Sequence, residues 1–234
     1  MSGAELGSYS ILLAFLAAMV GILAAVGHAR FGAGAFVRAC RWALGITAGL
    51  LTVALTALTV AFLGNEFNMA YVAENSERAL PTGYKIAAVW AGKEGSLLLW
   101  AWMMAAMSWL AAWTMRREPA GHQAATGGIL SVINAAFAGL MLYGRDITEG
   151  VVRSMSPFDL AERVKHGLAA ATDGMGMNPL LQHPAMIAHP PFLFAGYAGC
   201  TIPLPFCLAR LSRGGWTMSG FSASGGGLCG PGRC

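Results

Sequence analysis

Two stretches of this 234-residue chain gather the side chains able to do chemistry. The first reads Tyr71-Val-Ala-Glu-Asn-Ser-Glu-Arg-Ala-Leu-Pro81, then Tyr84-Lys-Ile-Ala-Ala-Val-Trp90-Ala-Gly-Lys93-Glu94-Gly-Ser-Leu-Leu-Leu-Trp100. Lys93 and Glu94 stand where an apolar run begins, between Gly92 and Gly95, which suits a tight backbone turn. Ser96 is placed to cap the helix that follows through its hydroxyl. Charges so close to hydrocarbon carry partners or a function. An interfacial Lys–Glu pair that only marks membrane depth satisfies the same spacing.

The second stretch reads Met177-Asn-Pro-Leu-Leu-Gln-His183-Pro-Ala-Met-Ile-Ala-His189-Pro190-Pro191-Phe-Leu-Phe-Ala-Gly-Tyr197. Proline is tolerated in a first helical turn and biases the residue before it toward extended geometry. His189 is therefore expected at the start of a helix that Pro190 and Pro191 open. An imidazole held there suits an axial ligand of haem iron, a position histidine commonly fills; a helix cap or an interfacial hydrogen bond is the plainer use. His183 lies six residues earlier, about 240° round a helix, so the two rings are not expected on one metal. His28, His122 and His166 fall in charged loops and read as surface residues.

The elements that position these motifs are apolar helices. Hydrophobic residues make up 56% of the chain and charged ones 11%, against about 25% charged in soluble domains, and mean hydropathy is +0.57. A bilayer core needs roughly 20 apolar residues per helix. Five segments meet this: Tyr9 to Gly27, Trp42 to Gly64, Ser96 to Met115, Gly127 to Tyr143, and about Pro190 to Ala209. The fold class is thus all-α, a polytopic transmembrane helical bundle with outward loops and a short surface helix. Val151 to Ala171 mixes charge with Leu and Val and is expected to supply that helix. Arg30, Arg38, Arg41, Arg116, Arg117, Arg210 and Arg213 sit in short loops, which places those loops in the cytoplasm and both motifs outside. Trp100, Trp102, Trp109 and Trp113 of the third span serve either helix packing or a platform for a planar ligand.

The scattered basic residues form no stripe for nucleic acid. Cys40, Cys200, Cys207, Cys229 and Cys234 make no CxxC pair and no disulfide framework. The apolar run at the start lacks a basic n-region and is expected to stay as a span. From Gly214 the chain becomes rich in Gly and Ser, a composition unable to bury a core.

Together the two motifs resemble the CcmF/NrfE family of cytochrome c-type biogenesis proteins, subunits of a haem lyase. The likeness is carried by Tyr71, Asn75, Ser76, Leu80, Pro81, Tyr84, Ala87, Ala88, Trp90, Glu94 to Trp100, Asn178 to Gln182, His189 to Pro191 and Tyr197. It implies a multi-pass protein of the bacterial inner membrane, its motifs facing the periplasm. It also implies that haem b is handed on from a CcmE-type haem chaperone and, with CcmH-type subunits, joined to apocytochrome c. His189 matches the family histidine implicated as an axial ligand, with Trp90, Glu94 and Trp100 as support for the haem site; no residue is assigned as catalytic. Lys93, His183 and Pro205 depart from the family pattern. The family continues beyond the fifth span into a WWD segment and further helices, so residues 1–213 read as its N-terminal region and 214–234 as an aberrant tail. A fragment that only packs against other maturation subunits, or a transporter of haem or another small molecule, are the competing expectations.

Overall fold

The computed structural model describes residues 2–148, 151–167, 169 and 171–211. Helix α1 (Gly3–Phe31) starts in a capping box, Ser2 Oγ accepting from Glu5 N and the Glu5 carboxylate accepting from Ser2 N. It stops at Gly32, whose φ of 68° lets the chain reverse at once into α2 (Gly34–Gly64). Asn65, at φ 54°, ends α2 in the same left-handed manner. Two short helices follow, α3 (Ala70–Asn75) and α4 (Thr82–Ala88), before α5 (Lys93–Thr114), a 3-10 turn at Met115–Arg117 and α6 (Ala120–Tyr143). After α6 come the strands β1 (Arg145–Thr148) and β2 (Val151–Ser154), the one-turn α7 (Glu162–Lys165), and α8 (Pro184–Thr201) with α9 (Pro203–Leu211).

Among the described residues, five helical stretches are long and apolar enough to cross a membrane: α1, α2, Lys93–Arg117, α6, and Ile187–Leu211 across α8 and α9. The five expected spans are present, each longer than its apolar run. At about 1.5 Å per residue, the 29 residues of α1 and 31 of α2 outreach a hydrocarbon core of roughly 30 Å. α1 lies against α2 and α6 through small residues. A Cβ on Gly21 would stand 2.3 Å from Ser131 Oγ, so only glycine admits α6 at that distance. Between α5 and α6, the buried Asn134 side chain donates to Ser108 Oγ at 3.0 Å.

One end of the bundle gathers residues 65–92 and the described residues of 144–183, and the other gathers the arginine-bearing turns. At the arginine end, Arg41 Nη2 donates to Gln123 Oε1 at 3.0 Å, and the Arg116 guanidinium lies 4.8 Å from the Trp113 ring. His122, expected at the surface, is 7% exposed and edge-on to Phe206 at 6.2 Å, because α6 begins at Ala120 and carries it under α9.

The segment Val151 to Ala171 differs from its expectation of one amphipathic helix. Val151–Ser154 pairs antiparallel with Arg145–Thr148, Arg145 opposite Ser154 and Thr148 opposite Val151, and among the described residues of the segment helix is confined to Glu162–Lys165. The β-branched residues Ile147, Thr148, Val151 and Val152 flank Glu149-Gly150, a pattern that favours a hairpin over a helix. Phe158 then anchors the segment, its ring lying where a Cβ on Gly7 of α1 would have to be. The Gly/Ser tail from Gly214, with Cys229 and Cys234, lies outside the described residues.

Candidate functional site

Tyr71 organises the first motif. Its phenol is 4% exposed; the oxygen accepts from Gly92 N at 2.9 Å and lies 3.3 Å and 3.2 Å from the carbonyl oxygens of Ala88 and Val89, to which it donates. The ring stands edge-on to Phe62 of α2, centroids 5.6 Å apart. One side chain therefore closes the turn between α4 and α5 onto the bundle. Both glycines of that turn are sterically required. A Cβ on Gly92 would meet the Tyr71 ring at 2.7 Å, and one on Gly95 would meet the Val89 carbonyl oxygen and the Tyr71 hydroxyl. Burial pushes the phenol pKa well above its usual value, and the Glu94 carboxylate raises it further; N–H groups of Gly92 and Gly95 pull it partly back.

That turn fixes Trp90, Lys93 and Glu94. Glu94 lies in the first turn of α5, where the helix dipole favours a carboxylate. Ser96 does not cap α5. The helix starts three residues earlier, with Gly92 as its N-cap, and Ser96 Oγ donates instead to the Trp90 carbonyl at 2.8 Å. Trp90 is half-buried and packs on the cluster of Leu80, Ala87 and Met177.

Met177 belongs to the second motif, so the fold lays the two motifs on each other. Asp173 Oδ1 accepts from the Arg78 and Gly174 amides, both at 2.8 Å, and Arg78 Nε donates to the Thr172 carbonyl at 2.8 Å. These amide bonds and the nearby Arg78 and Lys85 charges hold the Asp173 carboxyl below its usual pKa. Met175 N donates to Ala73 O at 2.7 Å and Gly176 N to Ser76 O at 3.2 Å. A Cβ on Gly174 would stand 2.0 Å from the Ser76 carbonyl oxygen, so glycine is needed for this approach. Residues 172–182 thus form a strap over α3 and α4, finished by Asn178 Oδ1 accepting from Leu180 N.

The strap delivers the chain into α8, and here the expected helix start is corrected. α8 begins at Pro184, with His183 as N-cap: His183 Nδ1 accepts from Ala185 N at 3.2 Å. Pro184 fills the first-turn position that the sequence suggested for Pro190 and Pro191, which lie inside the helix. His189 therefore sits in the second turn, exposed. Ile187 packs into the Trp90 cluster, and Phe194 stacks on Trp100 with centroids 5.8 Å apart. These two, seven residues apart, mark the inner face of α8. At about 100° per residue His189 is some 200° from Ile187, on the opposite face. Trp90 and Trp100 are thus brought together against α8, while His189 points away from them and from Glu94.

The four tryptophans of α5 form no shared platform. Trp100 meets Phe137 at 5.0 Å, Phe194 and Tyr197; Trp102 Nε1 donates to Thr52 Oγ1 at 2.9 Å; Trp109 and Trp113 are exposed. Trp100 Nε1 is buried without a hydrogen-bond partner among the described residues.

One organising residue was missed in the sequence. Lys85 is 8% exposed, and its Nζ donates to Asn65 Oδ1 at 2.7 Å and to the Arg78 carbonyl at 3.3 Å. It ties α4 to the C-terminal end of α2, where a cation is favoured. The signal was present: Asn65 follows Gly64 at an apolar run's end, the usual place of a left-handed helix terminator.

The chain is 32% identical over 212 residues to the cytochrome c-type biogenesis protein CcmF of Haemophilus influenzae, covering 90% of this chain and 30% of that protein. It is 36% identical over 185 residues to the probable cytochrome c-type biogenesis protein NrfE of Escherichia coli, covering 74% and 31%. The chain thus spans about a third or less of the length of these curated relatives. The solved structure of cytochrome c heme lyase CcmF superposes with a TM-score of 0.72 at 24% identity, over 91% of this chain and 31% of that one. This shows a shared fold for the bundle described above. The model of the family described as Cytochrome C assembly protein matches residues 90–221, from Trp90 through the strap and α8 and α9. The chain is a multi-pass membrane protein of the cytochrome c assembly protein family.

Proposed function

We propose that this chain is a haem-handling part of cytochrome c maturation, working in a bacterial inner membrane with its two-motif end toward the periplasm. The observation that carries the reading is the strap: two motifs some ninety residues apart in sequence are locked together by Asp173, Arg78 and Met177, and they present His189 on the open face of α8. The relatives' names, biogenesis protein and heme lyase, supply the class of reaction.

The residues fit a haem group in a limited sense. His189 offers one exposed imidazole on a helix whose rotation is fixed by Trp90 and Trp100 on its inner face. Among the described residues, no group of three or more histidine, cysteine or carboxylate side chains gathers into a metal site. His189 would hold the iron, haem b being the form proposed. Trp90 and Trp100 would support the site by holding α8, and Glu94 by holding the turn under it. When bound, haem supplies the vinyl groups that the thiols of apocytochrome c take up. A CcmE-type haem chaperone, CcmH-type subunits and apocytochrome c are the partners proposed. The face of α8 bearing His189 is open among the described residues, and only 17% of the fifth span's window is buried, so the site is proposed to be completed by protein corresponding to the remaining length of the relatives.

The test is maturation of a reporter apocytochrome c in membranes holding this chain together with that remaining portion. Covalent haem attachment is expected, and His189→Ala is expected to impair it. Full maturation with His189→Ala would remove the role given to His189.

A further inference from the structure

We propose that the groove between α2, α5 and α6 at the arginine end binds the phosphate of an anionic phospholipid, with Arg41 as its principal contact. Leu44 of α2, Ala112 of α5, Met115 just beyond it and Gly127 of α6 give the groove an apolar lining, and Arg41 and Gln123 form its polar side. Gly127 lets α6 close on α2 here: a Cβ on it would stand 2.7 Å from Cys40 Sγ.

The polar side is held in one arrangement. Gln123 Nε2 donates to the carbonyls of Glu118 at 2.7 Å and Arg116 at 3.3 Å, which turns its Oε1 to accept from Arg41 Nη2 at 3.0 Å. That is the one hydrogen bond of Arg41 among the described residues, and most of the guanidinium N–H groups stay open for another acceptor. No carboxylate among the described residues pairs with it. Arg38, one turn earlier on α2, is exposed and likewise makes no ion pair among them. Arg30, Arg116, Arg117 and Arg210 add charge to the same end, against the single carboxylate of Glu118 in those turns. The local charge thus favours an anion, and a planar guanidinium suits two phosphate oxygens at once.

Depth points to a lipid phosphate. At about 1.5 Å per residue, the 31 residues of α2 exceed a hydrocarbon core of roughly 30 Å by about 8 Å at each end. Arg41 lies about 10 Å along the helix from Gly34, which is the hydrocarbon boundary. Trp42 beside it and Trp113 near the end of α5 are exposed, and tryptophan is enriched at that boundary. A basic pocket between spans at this depth fits an anionic headgroup, with the first methylenes of its chains meeting Leu44 and Ala112.

The experiment is native mass spectrometry of the full chain released from detergent, titrated separately with dioleoyl phosphatidylglycerol, dioleoyl phosphatidylcholine and glycerol phosphate. Phosphatidylglycerol is expected to bind about fivefold or more tighter than phosphatidylcholine, whose choline offsets its own phosphate. Arg41→Gln is expected to abolish that preference and leave phosphatidylcholine binding unchanged, which also reports that the variant is folded. Gln123→Met keeps every charge but frees the guanidinium, and is expected to weaken phosphatidylglycerol binding alone. Arg30→Gln removes the same charge from α1, which contributes no residue to the groove, and is expected to keep the preference. Equal binding of the two lipids, or equal losses in Arg30→Gln and Arg41→Gln, overturns the proposal. Glycerol phosphate that binds and displaces phosphatidylglycerol would assign the groove to a soluble phosphate and overturn the lipid.

Discussion

Replacing Tyr71 by Phe removes one oxygen from the centre of the two-motif end of the bundle and leaves the ring, its edge-on contact with Phe62 and the bundle around it in place. That oxygen is the partner of the Gly92 amide at 2.9 Å and a donor toward the carbonyls of Ala88 and Val89. With the side chain 4% exposed, water does not take over these roles. Leaving a buried backbone donor unsatisfied costs about 1–3 kcal/mol, which corresponds to a roughly 5- to 150-fold rise in local opening of the turn. Hydrogen–deuterium exchange in detergent or nanodiscs reads this directly: peptides covering residues 88–96 should exchange faster by that factor, while peptides within α1 and α2 should not change. Alkali supplies a second signature. The phenol pKa is raised from an ordinary value of 10.0 by burial, so the unfolded turn releases its proton first as pH rises past that value. Protection in the wild type should therefore fall above about pH 10, and the fall should be absent in Tyr71→Phe. Exchange of the 88–96 peptides within twofold of wild type would refute Tyr71 as the latch of this turn.

Other perturbations address the remaining ties. Gly95→Ala places a methyl against the Val89 carbonyl and the Tyr71 hydroxyl, so it should disrupt the turn more than Tyr71→Phe does, read by the same exchange. Lys85→Met leaves Asn65 Oδ1 and the Arg78 carbonyl without their donor, a loss of about 1–3 kcal/mol that should appear as faster exchange at the C-terminal end of α2. The hold of Asp173 on Arg78 should be complete above the ordinary carboxyl value of 3.8 and weaken as pH falls below it, because the folded carboxyl is held lower. Exchange of the Arg78 amide against pH checks this, and Asp173→Ala should abolish the pH dependence.

What the sequence disclosed and what it withheld divide along physical lines. Span positions follow from the solvent, since hydrocarbon demands long uncharged runs, and all five were readable without any contact map. Helix boundaries were not. Pro190 and Pro191 suit the opening of the fifth span because proline fits a first turn, yet Pro184, after His183, meets that rule about 1.7 turns earlier. Ser96 looked like a cap because it precedes Leu97, but the Tyr71 hydroxyl bonds to the turn and lets α5 begin at Lys93. The charged Val151 to Ala171 stretch carries a helical period that masks the hairpin at Arg145–Ser154, which its β-branched residues favour. The burial of His122 and Lys85 is not legible in sequence, because burial of a polar side chain depends on which helix lands on it, as α9 does on His122. The pairing of the two motifs through Arg78 and Asp173 spans 95 residues and no local pattern announces it.

The placement of the site residues sharpens the account. The sequence suggests Trp90 and Trp100 beside His189 at one ligand, and they instead grip the opposite face of α8. Their support for a haem site would therefore be indirect, through the helix they orient.

The central claim is that His189 ligates haem on the open face of α8. Its most direct test is the optical spectrum of this chain purified from membranes together with the remaining portion of its relatives. The account predicts a Soret band from bound haem that is lost or shifted in His189→Ala and retained in His183→Ala. An identical spectrum in all three would contradict it.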